Sequence, residues 1–290
     1  MIMNKLFIII LLFQISVCYA EETEVSATQN KTAMSLYRDN YITFGDNNDQ
    51  IKFQLSAKYQ LFIPDKNPED NKINTFFKIV GSSAFFAYTQ TSWWTVYSGR
   101  DTFSSNYQPE AFFKFESKNR FRDLNLGPFK YLKIAPIYHC STGVEGSDHR
   151  SINEFYGEFD ISYTDDKEQN EIGINPRLFG YWSKSTQNKD INDYRHNYET
   201  KLYYIHKFDW KDNEKHFYSL WQIIKEQGFN FKCTGNPLGK GYYMIESTSK
   251  VFSANFQPKI FFQYSHGYGV NIVSYNIKET EFRGGFLFSF

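Results

Sequence analysis

The sequence predicts an all-β fold, a twelve-stranded antiparallel transmembrane β-barrel, and three observations support this prediction. Aromatic residues make up 20% of the 290 residues, with 30 Phe and 22 Tyr. The mean hydropathy is nevertheless polar, at -0.55. This balance is typical of a barrel whose apolar outer face alternates with a polar lumen. Beyond the N-terminal leader no stretch reaches the 18 or so apolar residues of a transmembrane helix, whereas short segments alternate apolar and polar residues.

The chain begins with a predicted signal peptide, residues 1–20. Lys5 supplies a positive charge, an apolar run follows, and Ala20 ends the segment with a small residue. Residues 21–35 are polar and aperiodic, which predicts a flexible N-terminal arm, and residues 36–290 are predicted to form one barrel domain. Lys plus Arg equals Asp plus Glu, 32 each. The chain therefore has no net charge, and we expect no nucleic-acid partner.

Alternation places the strands in order along the chain. The first is expected near Tyr41–Phe44, and Ile51–Leu61 then alternates for eleven residues, the length of a tilted membrane strand. The others are predicted at Thr75–Tyr97, Tyr107–Phe115, Tyr131–His139, Asn153–Tyr163, Glu171–Trp182, Tyr198–Phe208, Phe217–Glu226, Tyr242–Ser253, Lys259–Ser265 and Arg283–Phe290. The total of twelve is even, as bacterial barrels generally require.

Two segments carry polar residues that suggest chemistry. His139 and Ser141 are two apart, so they share a strand face, and Cys140 points the other way. In the next strand the even row from Glu154 is charged and should face the lumen, which puts Asn153 on the lipid side. In the strand before His139 the alternation is less regular. Lys133 falls on the same predicted face as His139, and Pro136 interrupts the pattern. Polar groups that face lipid are candidates for function.

These residue types fit a hydrolytic site. A serine hydroxyl needs a neighbouring base to remove its proton, and the base works best when a third group orients its ring. Asn153 follows His139 by fourteen residues, so it can return beside the imidazole on the paired strand. The backbone N–H groups of Ser141 and Gly143 are candidate oxyanion donors. The simpler alternatives are that the His-x-Ser pair is a set of satisfied polar residues and Gly143 a turn glycine.

Other residues leave alternatives open. Gln90 is an amide in a mostly apolar row, so it needs a partner on a neighbouring strand or on another protein molecule. Asp148 and His149 are either site residues or solvated loop residues. Cys140 and Cys233 either pair or stay free. Loop carboxylates offer oxygen ligands for calcium or serve solubility alone; they are Glu145, Asp148, Asp190 and Asp193.

Six segments in one order resemble the outer-membrane phospholipase A family over nearly the whole mature chain. They are Lys52–Ser56, Tyr88–Trp94, Ser105–Pro109, His139–Gly143, Arg150–Asn153 and Gly267–Gly269. The resemblance implies a twelve-stranded enzyme of the bacterial outer membrane that hydrolyses acyl esters of phospholipids, of A1, A2 and lysophospholipase type. It further implies Ser141 as nucleophile, His139 as base and Asn153 as the residue that orients His139.

The resemblance also implies a Ca²⁺ cofactor and activation by dimerisation. Gln90 matches a dimer-interface position within the membrane. The matching calcium positions are the Val144 carbonyl and His149, and imidazole is a poor calcium ligand, so Asp148 is a substitute. The competing readings are a catalytically inactive barrel, a porin-type channel, and a lipid A deacylase as a related enzyme class.

Overall fold

The computed structural model describes most of the chain beyond the N-terminal segment. The described residues are 34–45, 50–61, 83–95, 103–116, 118–119, 122–123, 128–142, 149–208, 224–236, 238–251 and 258–288. The signal peptide predicted at 1–20, and the arm as far as residue 33, lie outside these ranges. Within them no helix is both long enough and apolar enough to cross a membrane.

Twelve antiparallel strands form a closed β-barrel, which confirms the predicted fold class. The strands are β1 Asn40–Gly45, β2 Gln50–Gln60, β3 Ala84–Thr95, β4 Phe103–Glu116, β5 Phe129–Ser141, β6 Ser151–Thr164, β7 Asn170–Lys184, β8 Tyr198–Lys207, β9 Glu226–Gly235, β10 Gly241–Lys250, β11 Pro258–Gly267 and β12 Glu279–Phe288. Each strand pairs with the next, and β12 pairs with β1 to close the ring. Closure pairs the backbone N–H and C=O groups of both edge strands, and a barrel in lipid requires that these groups be hydrogen-bonded.

Short segments accompany the barrel strands. Met34–Leu36 pairs with the C-terminal half of β2. Met34 and Ser35, the last two residues of the predicted N-terminal arm, therefore belong to the sheet. Lys118–Asn119 and Arg122–Asp123 form a separate two-stranded sheet. A single helical turn, α1 at Asn192–Arg195, lies between β7 and β8.

The position predicted for the ninth strand was wrong. The sequence prediction placed it at Phe217–Glu226, but β9 runs from Glu226 to Gly235, and residues 217–223 lie outside the described ranges. In β9 the exposed rings of Phe229 and Phe231 alternate with polar residues. Gly228 has no side chain to continue the apolar or the polar row, so the alternation is too short to recognise in the sequence.

The barrel wall has an apolar outer face and a polar inner one. On β6, Phe155 and Tyr163 are 54% and 65% exposed, whereas Glu154 is fully buried. The odd-numbered row therefore faces outward, as predicted, and the charged row faces the lumen. An outward apolar row on every second residue is the pattern of a wall that contacts lipid.

A β-bulge in β5 explains the irregular row before His139. Pro136 and Ile137 together lie opposite Phe155 of β6, so β5 carries one extra residue at this point. Lys133 and His139 both have odd numbers, but the lysine is buried in the lumen and His139 is half-buried on the outer side. The bulge changes the row that faces outward, and proline is tolerated there because one ladder bond is already missing.

The lumen contains buried ion pairs and one cavity of about 510 Å³. Glu154 accepts hydrogen bonds from Arg177 at 2.8 Å and from Arg195 at 3.0 Å. At the barrel end near His139, residues 185–197 and 268–278 fold inward, and we refer to these two loops as the cap. Ile191 and Tyr275 of the cap are buried in the apolar cluster that includes Cys140.

Candidate active site

His139 and Asn153 meet on the outer face of the barrel. They are directly paired in the ladder between β5 and β6. The Nδ1 atom of His139 lies 2.9 Å from Oδ1 of Asn153. An amide oxygen only accepts hydrogen bonds, so Nδ1 carries the proton in this contact and Nε2 keeps its lone pair. The contact expected from the fourteen-residue spacing is present.

Ser141 follows His139 on the same outward row and is half-buried. It pairs with Ser151 of β6 on one side and with Tyr107 of β4 on the other. The Cα atoms of residues two apart in a strand are separated by roughly 7 Å, so neighbouring side chains on one face reach each other. The structure therefore brings Ser141, His139 and Asn153 together on a lipid-facing surface.

The two cysteines have no part in this surface. Cys140 is 5% exposed and lines the lumen cavity, as its position between His139 and Ser141 requires. Cys140 on β5 and Cys233 on β9 are both free thiols, which settles the alternative left open by the sequence. Cys140 faces away from the imidazole and is therefore not the nucleophile.

Two cap residues hold the strand opposite Ser141, and the sequence did not reveal them. Ser185 donates its backbone N–H to the Ser151 carbonyl at 2.9 Å, and Ser151 returns its own N–H to the Ser185 hydroxyl at 3.3 Å. Asn188 is fully buried and donates its side-chain amide to the same carbonyl at 3.2 Å. We name these contacts the Ser151 clamp. No local signal predicts it, because 34 residues separate Ser151 from Ser185.

Gln90 has hydrogen-bond partners within its own strand. Tyr88 donates its hydroxyl to Gln90 Oε1 at 3.1 Å, and Gln90 Nε2 donates to the Ser92 hydroxyl at 3.1 Å. Gln90 is half-buried and lies on the outer face, paired with Leu55 of β2. The sequence-based argument required a neighbouring strand or another molecule as the partner, and these two bonds need neither.

Most of the residues predicted for the oxyanion and calcium sites cannot be placed. Gly143, Val144 and Asp148, predicted for the oxyanion and calcium sites, lie outside the described ranges. His149 is half-buried, and its carbonyl accepts from the Arg150 guanidinium at 3.1 Å. Calcium prefers six to eight oxygen ligands. Among the residues the structure describes, no group of three or more His, Cys, Asp or Glu is placed to hold a metal.

The two cap aspartates already have partners. Asp190 accepts a hydrogen bond from the hydroxyl of Tyr275. Asp193 lies 3.9 Å from the ammonium group of Lys240. The Asp190 contact joins the two cap loops, whereas the Asp193 pair is exposed to solvent and contributes little.

Comparison with known proteins places the chain among phospholipases. Residues 10–288 match the family described as Phospholipase A1. No sequence among the curated proteins matches the chain. The chain is similar in fold to the outer membrane phospholipase of Salmonella typhi, solved as a dimer with bound calcium, with a TM-score of 0.64 and 20% identity over 90% of this chain and 94% of that one. It is also similar to outer membrane phospholipase A from Escherichia coli, with a TM-score of 0.65 and 19% identity over 89% of this chain and 99% of that one.

Proposed function

The chain belongs to the phospholipase A1 family, and on that premise we propose that it hydrolyses phospholipid acyl esters at the outer wall of its barrel. One observation carries the proposal, the 2.9 Å contact between His139 Nδ1 and Asn153 Oδ1 on the outward face, next to Ser141. We propose action on both ester bonds and on lysophospholipids.

The barrel wall and the family place the protein in the bacterial outer membrane. Residues 1–20 are a proposed signal peptide, 21–33 a proposed arm, and the remainder a single barrel domain.

In the proposed mechanism Asn153 orients the base. Its amide oxygen accepts from Nδ1–H of His139, which fixes the tautomer and directs Nε2 toward Ser141. Nε2 removes the hydroxyl proton as the serine oxygen attacks the ester carbonyl carbon. The tetrahedral intermediate places its negative charge near the backbone N–H groups proposed as oxyanion donors, those of Ser141 and Gly143.

Collapse of the intermediate completes the first half of the reaction. The carbon–oxygen bond to the glycerol oxygen breaks, and protonated His139 gives its proton to that oxygen, which releases a lysophospholipid. The acyl group stays on Ser141 as an ester. His139 then removes a proton from water, the water oxygen attacks the acyl carbon, and the serine oxygen recovers the proton as the fatty acid leaves.

The outer wall is a suitable place for this chemistry because the substrate is the surrounding lipid. Phospholipids diffuse along the wall with their ester groups near the membrane surface, so no pocket needs to enclose them. A polar cluster facing hydrocarbon is costly to maintain for packing alone. The lipid-facing position of His139, Ser141 and Asn153 is therefore explained by an ester substrate that comes from the membrane.

We also propose that activity depends on calcium and on dimerisation. The Salmonella typhi relative is a dimer with bound calcium. In this chain the proposed calcium ligands are the Val144 carbonyl and Asp148. His149 matches a third ligand position, but imidazole binds calcium weakly. The possible ligands among the described residues do not by themselves fit Ca²⁺. The proposed mechanism therefore uses only groups of this chain. Gln90 lies on the outer face of β3 and is the proposed interface residue.

The proposal is tested by fatty-acid release from phospholipid micelles by purified protein, titrated with calcium and then with a chelator. Ser141→Ala should abolish release and keep a folded barrel, seen as a band that shifts on heating in gel electrophoresis. The matched control is Ser247→Ala, because Ser247 also lies on the outer row, five strands away on β10. Full activity of Ser141→Ala would contradict the mechanism. Ion conductance without hydrolysis by the wild type would favour a channel.

A further inference from the structure

Four polar side chains form a square on the outer face of the β5–β6 hairpin, and the proposed triad uses only three of them. His139 is paired with Asn153, and Ser141 is paired with Ser151. Ser151 is half-buried and lies two residues before Asn153, so both side chains face outward. A polar group that faces lipid is costly to maintain and is a candidate for function. The Ser151 hydroxyl therefore requires an explanation that the triad does not give.

The Ser151 clamp fixes this residue through its backbone. Ser151 donates its N–H to the Ser185 hydroxyl, and its carbonyl accepts from the Ser185 N–H and from the Asn188 side chain. Within the described ranges, the hydrogen bonds of Ser151 all use its backbone N–H and C=O. The clamp thus holds the residue in place and leaves its hydroxyl for another partner.

The register of the hairpin brings the Ser151 hydroxyl close to the candidate nucleophile. Thr142 donates its N–H to the Arg150 carbonyl at 3.0 Å, which makes these two residues a hydrogen-bonded pair. Hydrogen-bonded and non-hydrogen-bonded pairs alternate along an antiparallel ladder, so the next pair, Ser141 and Ser151, is non-hydrogen-bonded. The Cβ atoms of directly opposite residues are about 4.5–5.5 Å apart, and they are closer in such a pair. The hydroxyl of Ser151 therefore reaches a group that is bound to Ser141.

The direction of proton transfer decides which part of the substrate meets Ser151. His139 gives its proton to the leaving glycerol oxygen, so that oxygen lies near His139 Nε2. The former carbonyl oxygen is a different substituent of the same tetrahedral carbon and projects away from His139. Ser151 lies at the level of Ser141 and diagonally across from His139. It is therefore on the side where the oxyanion forms.

The nearest backbone donors of the hairpin are already engaged. The Thr142 N–H is used by the Arg150 carbonyl, and the Arg150 N–H donates to the Thr142 hydroxyl at 3.2 Å. Neither group is directed to a substrate on the outer face. A serine hydroxyl is a donor that rotates to suit its acceptor. Ser151 thus offers, beside Ser141, a donor that these two N–H groups do not provide.

We propose that Ser151 donates a hydrogen bond from its hydroxyl to the oxyanion that forms when Ser141 attacks the ester, and that it is a fourth catalytic side chain. This inference rests on the proposed function and adds an oxyanion donor to it. The proton stays on Ser151, because His139 carries out both proton transfers. A hydrogen bond to a charged oxygen is stronger than one to the neutral ester carbonyl, so the contribution appears in kcat.

The first measurement is fatty-acid release from phosphatidylcholine micelles by Ser151→Ala, with kcat and KM determined separately. The variant removes the hydroxyl and keeps both backbone groups of the clamp, so its thermal unfolding midpoint should equal that of the wild type. Its kcat should fall by about 10-fold to 150-fold with little change in KM, the effect expected for a hydrogen bond to a charged group. Ser151→Thr keeps a hydroxyl and should retain more activity than Ser151→Ala.

The second measurement is the affinity for a long-chain alkylboronic acid, which a purely structural role would not change. The Ser141 oxygen adds to boron, His139 takes the serine proton, and the tetrahedral adduct carries a negative charge as the oxyanion does. The affinity of Ser151→Ala for this compound should fall by about the same factor as its kcat. The matched control is again Ser247→Ala, which should equal the wild type in both measurements.

Two results would overturn the role of Ser151 and leave the proposed function intact. One is wild-type kcat in folded Ser151→Ala, and the other is a lower kcat with unchanged affinity for the boronic acid. Absence of hydrolysis by the wild type would instead overturn the proposed function. If Ser151→Ala does not fold, Ser151→Cys decides by the same two measurements, because a thiol is a weak donor.

Discussion

Replacement of Asn153 by alanine tests the central contact of the proposed mechanism. The variant removes Oδ1, which lies 2.9 Å from His139 Nδ1. It leaves the backbone of His139 in place, since that backbone is paired in the β5–β6 ladder. Ser141 keeps its base, but the base loses the group that fixes its tautomer. The expected consequence is a slower chemical step with little change in substrate binding.

The size of the effect follows from the contact. A half-buried ring N–H left without an acceptor costs about 1–3 kcal/mol. If that cost is expressed in the transition state, where the imidazole gains a proton and charge, kcat falls by a factor of about 5 to 150. Asn153→Asp keeps an acceptor oxygen at the same place. We expect it to retain more activity than Asn153→Ala.

The assay is fatty-acid release under saturating substrate, so that kcat and KM are separated. Asn230→Ala is the control, because Asn230 lies in the lumen wall on β9 and makes one weak contact, to Glu246 at 3.4 Å. Combining Asn153→Ala with Ser141→Ala should give no further loss, since residues that act as a unit are not additive.

Two results would refute the reasoning about Asn153. One is wild-type kcat in folded Asn153→Ala, which would show that the contact does not orient a catalytic base. The other is a rise in KM with kcat unchanged, which would make Asn153 a residue for substrate binding. Either outcome would leave Ser141 and His139 to be tested separately.

Three further predictions concern the scaffold. Asn188→Ala removes a buried donor from the Ser151 clamp and should destabilise the barrel by about 1–3 kcal/mol, measured as a lower thermal unfolding midpoint by circular dichroism; an unchanged midpoint would contradict the clamp. Glu154→Gln removes the carboxylate that pairs with Arg177 and Arg195 in the lumen, and we expect the free energy of unfolding in urea, measured in vesicles, to fall by about 3–5 kcal/mol; wild-type stability would contradict this. In the β6–β7 turn, hydrogen bonds from the Asn170 side chain and from backbone N–H groups hold the pKa of Asp165 below its ordinary value of 3.8. The stabilisation by Asp165 is therefore complete above that value and lost as the pH falls below it, so Asp165→Asn should narrow the difference in urea midpoint between neutral and strongly acidic pH; an equal difference in both proteins would contradict this.

The candidate site was largely predictable where it depends on strand periodicity. Residues two apart on a strand share a face whatever the rest of the chain does, so the common face of His139 and Ser141 followed from their spacing. The charged row from Glu154 identified the lumen side of β6 and, with it, the outward position of Asn153. The contact between His139 and Asn153 needed only a hairpin whose two strands pair next to each other.

Features that depend on pairing with other strands escaped prediction. The bulge at Pro136 and Ile137 exists only relative to its β6 partner, so the sequence showed an irregular row and not its cause. The partners of Gln90 were sought on other strands or molecules because the rotamers of side chains along one strand are not set by their spacing. The position of β9 was wrong because Gly228 shortens its alternation, and the register of β9 is fixed by β8 and β10.

The sequence by itself determined the β-barrel class, the two faces of its wall and the shared outward face of His139, Ser141 and Asn153. These features depend on composition and on a two-residue period, and both are local properties of the chain. Only the tertiary structure decided the Ser151 clamp and the bulge in β5. The clamp depends on the register of β6 and β7, which sets Ser185 opposite Ser151, and on the turn that brings Asn188 to the same carbonyl. Such contacts depend on the register between two strands, which the spacing of residues along one strand does not set.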